Sequence, residues 1–382
     1  MDKALISRER DIKLDILKII GLAGIILAHA NPNEFINGIR NFDVPLMVLV
    51  SGTLFAKSSN LKTRSTGAYL KKRLLRLIAP TWVFFGFFFI CIGIICLITG
   101  ARYPYPNDEI IETFFLLGGI GYTWIVRVFI IIAAISPLLV NFLFKAKDRK
   151  TRYFWTIAIY VLYESIVLSI GDLDEEDFVF AGIDDRFDRL MFWIYDIGVQ
   201  KTLFYAIPYS CLFAFGAMLD RLSQKTIAYL SIANFTIFTT IAAWLYFKNG
   251  EFIRTQDYKY PPQLYYLSYA IFVSLLLYFV VDRILKSFPQ EAIRSNPITQ
   301  LFVFVSSSSL WIYLWHIFFV HYDDEILESL LGVPAWVSLK FMLVFSLSLL
   351  TTYAQKRLVR HLTSNTAFGQ KNANWLSLVF LK

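Results

Sequence analysis

The chain has 382 residues, of which 57% are hydrophobic and 17% aromatic, and its formal net charge at pH 7 is +8. Soluble domains hold roughly 45–50% apolar residues, so this composition excludes a soluble protein and indicates one that crosses a membrane several times. The positive charge falls in short segments between apolar runs, as the positive-inside rule requires, and this excludes a nucleic-acid-binding protein.

Ten apolar segments predict membrane-spanning helices, because a span needs about 20 largely apolar residues. They cover residues 12–30, 42–57, 79–99, 122–143, 153–170, 200–220, 226–247, 264–282, 297–320 and 334–354. We therefore expect an all-α fold, a polytopic membrane helical bundle of about ten transmembrane helices within residues 1–355. Residues 356–382 are expected to form a cytoplasmic tail.

The Lys and Arg residues indicate the orientation. Most of the 37 lie in the two termini and in alternate connections between spans, and cytoplasmic loops carry such an excess. An even number of spans places both termini on one side, which is then the cytoplasm. No small-residue cleavage pattern follows the first apolar run, so we expect the first helix to be retained.

The first span carries two groups that are costly in hydrocarbon, Lys18 and His29. They are eleven residues apart, so on an α-helix they share one face, separated by about 16 Å along the axis. Asp15 lies near that face. We expect the face to turn to a protein-lined cavity, with Lys18 near the cytoplasmic end and His29 near the outer end. In the alternative interpretation, Lys18 reaches the cytoplasmic boundary and His29 is an interfacial residue.

A basic amphipathic segment, "AYLKKRLLRLIAP", precedes the third span. Arg73 and Arg76 are three residues apart and therefore adjacent on a helix. Paired guanidinium groups match the geometry of phosphate. The alternative is a segment that lies on an anionic lipid surface.

The fourth span contains a full charge, Arg127, which needs a carboxylate, a phosphate or water inside a membrane. Glu164 of the fifth span is a candidate partner. Trp124, one turn earlier, suits either sugar stacking or the aromatic belt at the membrane interface.

The ninth span has a polar face formed by Ser306, Ser309, Tyr313 and His316. These side chains either line a cavity or bond to neighbouring helices. The three cysteines lie in apolar runs, and no His, Asp, Glu or Cys cluster has metal-ligand spacing, so we expect no metal.

Four stretches resemble, in order, the motifs of membrane acyltransferase family 3. They are "LDILKIIGLAGIILAH", "FDVPLMVLVSGTLFAKS" with its Val-Pro and Ser-Gly, "RLLR" at Arg73–Arg76, and the late "SLWIYLWHIFFV". The resemblance covers nearly the whole chain. It implies an acyltransferase that uses acetyl-CoA as donor, with no permanently bound cofactor.

The resemblance also implies roles for particular residues. His29 is the essential histidine, Arg73 and Arg76 hold the CoA end of the donor, and Lys18 stands where the family often has arginine. We hypothesise that His29 acts as general base on the acceptor hydroxyl. Asp43 is a candidate to orient its imidazole, or alternatively a helix N-cap. The candidates to line the cavity or bind the acceptor are Asp15, Trp124, Arg127, Ser309, Tyr313 and His316.

The predicted function is O-acylation, most simply acetylation, of a surface polysaccharide or its lipid-linked precursor in a bacterial inner membrane. The expected partners are acetyl-CoA, the glycan and the lipid bilayer. A transporter or flippase for a lipid-linked glycan is the alternative, although it favours inverted repeats with matching broken helices, and the sequence shows no such symmetry. A non-catalytic membrane subunit would not need a lysine and a histidine on one face.

Overall fold

The computed structural model describes residues 10–57, 66–145, 148–170, 185–322 and 336–381. Over these ranges it contains helices and no strand, so the predicted all-α class is confirmed. The helices are α1 (Ile12–Ala28), α2 (Glu34–Ile39), α3 (Asp43–Lys57), α4 (Thr66–Thr99), α5 (Asn107–Phe115), α6 (Thr123–Lys145), α7 (Arg149–Ile170), α8 (Asp185–Ile194), α9 (Phe204–Leu219), α10 (Gln224–Asn249), α11 (Leu264–Lys286), α12 (Gln290–Ser295), α13 (Pro297–Ser307), α14 (Ser309–Val320), α15 (Val337–Asn365), α16 (Ala367–Lys371) and α17 (Ala373–Val379). A π-helical segment, Tyr195–Leu203, joins α8 to α9, and a 3-10 turn covers Thr255–Tyr258.

Each predicted span contains a helix in this structure. Within the described ranges, seven helical stretches are long and apolar enough to cross a membrane, or eight if the bent pair α13 and α14 forms one span. These counts fit the predicted polytopic helical bundle. The first helix, with 17 residues, ends at Ala28 rather than at residue 30.

The ninth predicted span, residues 297–320, is not one continuous helix, and in this respect the prediction was wrong. The chain bends by 75° between α13 and α14. Ser308 at the break has φ −106° and ψ 5°, and its N–H bonds to the carbonyl oxygens of Phe304 and Val305. The break falls in a run of four serines, whose hydroxyls compete with the helical hydrogen bonds of the backbone.

The helices divide into two compact units, and the first contains Met1–Met47, Arg64–Val126 and Leu277–Lys382. In this unit α1 packs against α13, α14 and α15. The buried side chains of α1 lie on several sides of the helix and are almost all apolar; they include Ile12, Leu14, Leu17, Leu22, Ile25 and Ile26.

The C-terminal part of the first unit is helical and packed. Helix α15 continues through residue 355 to Asn365, beyond the expected boundary of the tail. Helix α17 contacts α4. Trp311 of α14 donates from Nε1 to the carbonyl oxygen of Val379 at 2.9 Å and stacks on Phe380, with ring centroids 5.4 Å apart. Residues 367–381 therefore support α14 from the side.

The second unit contains Val48–Thr63 and Arg127–Leu276. Within it, α3 and α9 cross at two glycines: a Cβ atom at Gly52 would overlap the carbonyl oxygen of Phe213, and one at Gly216 would overlap that of Leu49. Thr53 Oγ1 donates to the carbonyl oxygen of Gly216 at 2.9 Å. Small residues let membrane helices approach closely, and this contact accounts for the glycine of the Ser-Gly motif in the second span.

Candidate functional site

His29 lies at the C-terminal end of α1, where its backbone N–H bonds to the carbonyl oxygens of Ile26 and Leu27. Its ring makes an edge contact with Tyr122, with centroids 4.6 Å apart, and lies 5.4 Å from the ring of His316. The ring centroids of Tyr122 and His316 are 6.0 Å apart, so these two residues are also in contact. The structure therefore brings the predicted essential histidine together with His316, the histidine of the polar face of the ninth span.

His316 is fully buried, and its two ring nitrogens have different environments. Nδ1 bonds to the carbonyl oxygen of Tyr313. Because a carbonyl only accepts, Nδ1 must carry the proton, and Nε2 of the neutral ring is then an acceptor. Nε2 has no hydrogen-bond partner among the residues that the structure describes.

Tyr313 contacts both Tyr122 and His316. Its hydroxyl donates to the carbonyl oxygen of Tyr122, and its ring lies 4.7 Å from that of His316. One helical turn before Tyr313, Ser309 is buried at the start of α14. Tyr122 was not identified from the sequence, because a tyrosine in a Gly-rich connection gives no periodic signal.

His321 directly follows the last residue of α14 and caps its C-terminal end. Nδ1 of His321 lies 3.2 Å from the hydroxyl of Tyr105. Burial, together with the nearby carboxylate of Glu109, raises the pKa of Tyr105 above its usual range. The phenol therefore stays protonated, and its hydrogen bond with the imidazole joins the end of α14 to the segment before α5.

Lys18 lies at the other end of the α1 face. Its Nζ donates to the carbonyl oxygen of Ser306 at 2.8 Å, in the last turn of α13. The charges of Arg73 and Lys356 are within electrostatic range of the ammonium group. The structure thus places Lys18 with other cations and the Arg10–Asp15 ion pair near one end of α1, and His29 with His316 near the other.

Asp15 is held by an ion pair. Arg10 donates to both carboxylate oxygens of Asp15, at 2.7 and 2.9 Å, and its Nη2 also reaches the carbonyl oxygen of Val303 at 3.3 Å. Arg10 therefore joins Asp15 of α1 to α13. The proposal that it lines a cavity has no support from these contacts.

Asp43 begins α3 beside α1, where a Cβ atom at Gly24 would lie 2.9 Å from the Asp43 Cβ. Its Oδ2 accepts from Arg40 Nη1 at 2.9 Å, and Asn37 Oδ1 accepts from the same guanidinium. Both charged side chains are buried. Arg40 was not singled out from the sequence, although its i, i+3 spacing to Asp43 is a signal that could have found it.

Arg73 and Arg76 lie on the first turns of α4 and are exposed. None of the ion pairs found in the described ranges involves either guanidinium. They are accessible to an anionic group from outside the protein, as a donor-binding role requires.

The Glu164 carboxylate, the candidate partner of Arg127, is engaged by other groups. The Glu164 carboxylate accepts from the Tyr160 hydroxyl at 2.8 Å and from the Leu264 N–H at 2.9 Å, and so it caps the start of α11. Arg127 lies over the ring of Tyr205, at 5.5 Å from the centroid. Arg127 belongs to the second unit, whereas the half-buried Trp124 belongs to the first.

No group of three or more His, Cys, Asp or Glu side chains in the described part of the chain is arranged to hold a metal ion.

A family model described as an acyltransferase domain, acyltransferase family 3, matches residues 11–353. No curated protein and no solved structure matches the chain.

Proposed function

Since the chain belongs to acyltransferase family 3 and has several apolar helices that fit a multi-pass membrane protein, we propose that it is an integral membrane O-acyltransferase. It moves an acetyl group from cytoplasmic acetyl-CoA to a sugar hydroxyl of a surface polysaccharide or its lipid-linked precursor. The membrane is the inner membrane of a bacterium, with both termini in the cytoplasm.

The observation that supports this proposal most is the division of the α1 face into two ends. One end has the cations Lys18, Arg73 and Lys356 beside the Arg10–Asp15 ion pair, and an excess of cations over carboxylates favours a bound anion such as the phosphates of CoA. The other end has His29 in contact with His316 and Tyr122. The two ends are about 16 Å apart along the helix.

In the proposed reaction, His29 takes the proton from the acceptor hydroxyl as that oxygen attacks the thioester carbon. The carbon–sulfur bond then breaks, and the imidazolium returns the proton to the leaving CoA thiolate. The products are the O-acetyl ester and CoA, and no other reactant is needed. Neutral imidazole suits the first step because the unperturbed pKa of histidine is near 6.5.

On the donor side, Arg73 and Arg76 hold CoA phosphates at the exposed end of α4. Guanidinium groups bind phosphate bidentately, whereas Lys18 contributes as a point charge. Because Lys18 also bonds to Ser306, its contribution to donor binding is electrostatic and at longer range. Asp43, which begins α3 beside Gly24 of α1, orients the imidazole of His29 in this proposal.

The test is a transfer assay with the purified protein in lipid nanodiscs, acetyl-CoA and de-O-acetylated envelope glycan. We expect CoA release that depends on the glycan, and O-acetyl signals in the NMR spectrum of the product. His29→Ala should lower the rate by about 100-fold or more. The control is His361→Ala, an exposed histidine of α15, which should match the wild type.

A transporter or flippase gives a different result in this assay, because it releases no CoA. Glycan-independent or absent CoA release by correctly folded protein would overturn the proposed function. In the part of the chain that the structure describes, α13 and α14 are the one bent helix pair, whereas the transporter architecture places broken helices in both halves.

A further inference from the structure

We propose that His316 binds the acceptor through a second hydroxyl, adjacent to the one that is acylated, so that the enzyme selects acceptors with vicinal hydroxyl groups. This inference rests on the proposed function and specifies its substrate class. It assigns His316 a hydrogen bond to substrate, separate from the base role of His29.

The first step of the argument concerns the tautomer of His316. The Tyr313 carbonyl fixes the proton on Nδ1, so Nε2 presents a lone pair and accepts hydrogen bonds. The same tyrosine bonds through its hydroxyl to the backbone of Tyr122. The ring is therefore held in one orientation by neighbours on its own helix and on the connection before α6.

The second step concerns the missing partner of Nε2. Buried polar atoms in proteins are nearly always hydrogen-bonded, and one without a partner calls for an explanation. His316 is 0% exposed, and its Nε2 has no hydrogen-bond partner within the described ranges. A substrate group that donates a hydrogen bond would satisfy it.

The third step concerns position. The His316 ring lies 5.4 Å from the His29 ring, so a group bound by one histidine lies next to a group bound by the other. Both a hydroxyl and the thioester carbonyl are present in the reaction, but only the hydroxyl donates. Neighbouring hydroxyls of a sugar ring meet this requirement: one faces His29 and the other donates to His316.

The experiment compares two matched acceptors, trans-1,2-cyclohexanediol and cyclohexanol, with acetyl-CoA and the protein in nanodiscs. Ester formation is measured by gas chromatography, and CoA release is recorded in parallel. We expect the wild type to esterify the diol about 10- to 100-fold faster, because a site built around a hydrogen bond rejects an analogue that leaves it unmade.

The variants His316→Phe and His316→Gln test the assignment. Phenylalanine keeps a ring but has no acceptor, so the ratio of the diol rate to the cyclohexanol rate should fall to within about threefold, whatever happens to the two rates themselves. Glutamine offers an acceptor oxygen and should keep part of the preference. His361→Phe, on the exposed surface of α15, is the control for loss of a histidine, and unfolding temperatures establish that each variant is folded.

The possible outcomes separate the two claims. A wild type without preference for the diol, or a His316→Phe variant that keeps the preference or slows both acceptors equally, overturns the inference. So does acetylation of glycan without any ester from the diol. A wild type that releases no CoA with glycan, diol or cyclohexanol overturns the proposed function itself.

Discussion

The ammonium group of Lys18 donates a 2.8 Å hydrogen bond to the carbonyl oxygen of Ser306, directly before the 75° bend between α13 and α14. A break in a membrane helix frees carbonyl groups that have no water to bond to. Lys18 satisfies one of them, and eleven residues later His29 contacts α14 through His316. Helix α1 thus contacts both halves of the broken span.

Replacing Lys18 by methionine should destabilise the first unit. The change leaves the Ser306 carbonyl without its donor, and an unsatisfied buried group costs about 1–3 kcal/mol. Lys18→Arg keeps a donor and should recover part of this loss. Thermal unfolding in detergent measures the effect, with exposed Lys72→Met as the matched control; an unchanged unfolding temperature for Lys18→Met would contradict a structural role for the bond.

Variants of the Arg40–Asp43 ion pair can distinguish a role in stability from a role in catalysis. Asp43→Asn leaves the buried Arg40 charge unpaired, which should cost about 3–5 kcal/mol of unfolding free energy. The double variant Arg40→Gln/Asp43→Asn removes both charges and should regain most of that stability. If Asp43 orients His29, acetyl transfer stays low in the double variant; recovery of activity together with stability would show that the pair is only structural.

The two arginines of α4 should affect binding of the donor. Charge-assisted hydrogen bonds contribute about 1.5–3 kcal/mol, so Arg73→Gln and Arg76→Gln should each raise the KM for acetyl-CoA by about tenfold or more, with a smaller change in kcat. Both side chains are exposed, so the unfolding temperature should not change. Initial rates of CoA release at varied acetyl-CoA give the two constants.

Lys72→Gln is the matched control for this experiment, because it removes the same charge from the same exposed turn. An equal rise in KM for Lys72→Gln would indicate general surface charge rather than a phosphate site. A change that depends instead on the fraction of anionic lipid in the nanodisc would favour membrane anchoring by this segment.

The glycine crossing of α3 and α9 should not accept larger residues. Gly216→Val places a Cβ atom against the carbonyl oxygen of Leu49, so the helices must separate and the variant should lose about 3 kcal/mol or more of stability. Gly86→Ala on α4 is the control, because a Cβ atom there meets nothing within 4 Å. Folded yield and thermal unfolding report the difference, and a Gly216→Val protein as stable as Gly86→Ala would refute the close contact.

Helical periodicity predicts which residues of a single helix share a face. The spacing of Lys18 and His29 predicted a shared face, and in the structure both side chains meet the α13–α14 pair. Periodicity could not identify the contacts of Glu164, the candidate partner of Arg127, because such contacts depend on how two helices are rotated against their neighbours. Glu164 instead meets the N-terminal turn of α11, 100 residues later in the chain.

By itself, the sequence determined the all-α membrane class and the shared face of Lys18 and His29 on α1, since hydropathy and helical period are local properties. Only the tertiary structure decided what that face meets: the Ser306 carbonyl at a break in α13, and the imidazole of His316 on α14. These partners lie almost 300 residues away in the chain, and no local pattern specifies contacts at that separation. The lone pair left open on His316 is a consequence of that packing.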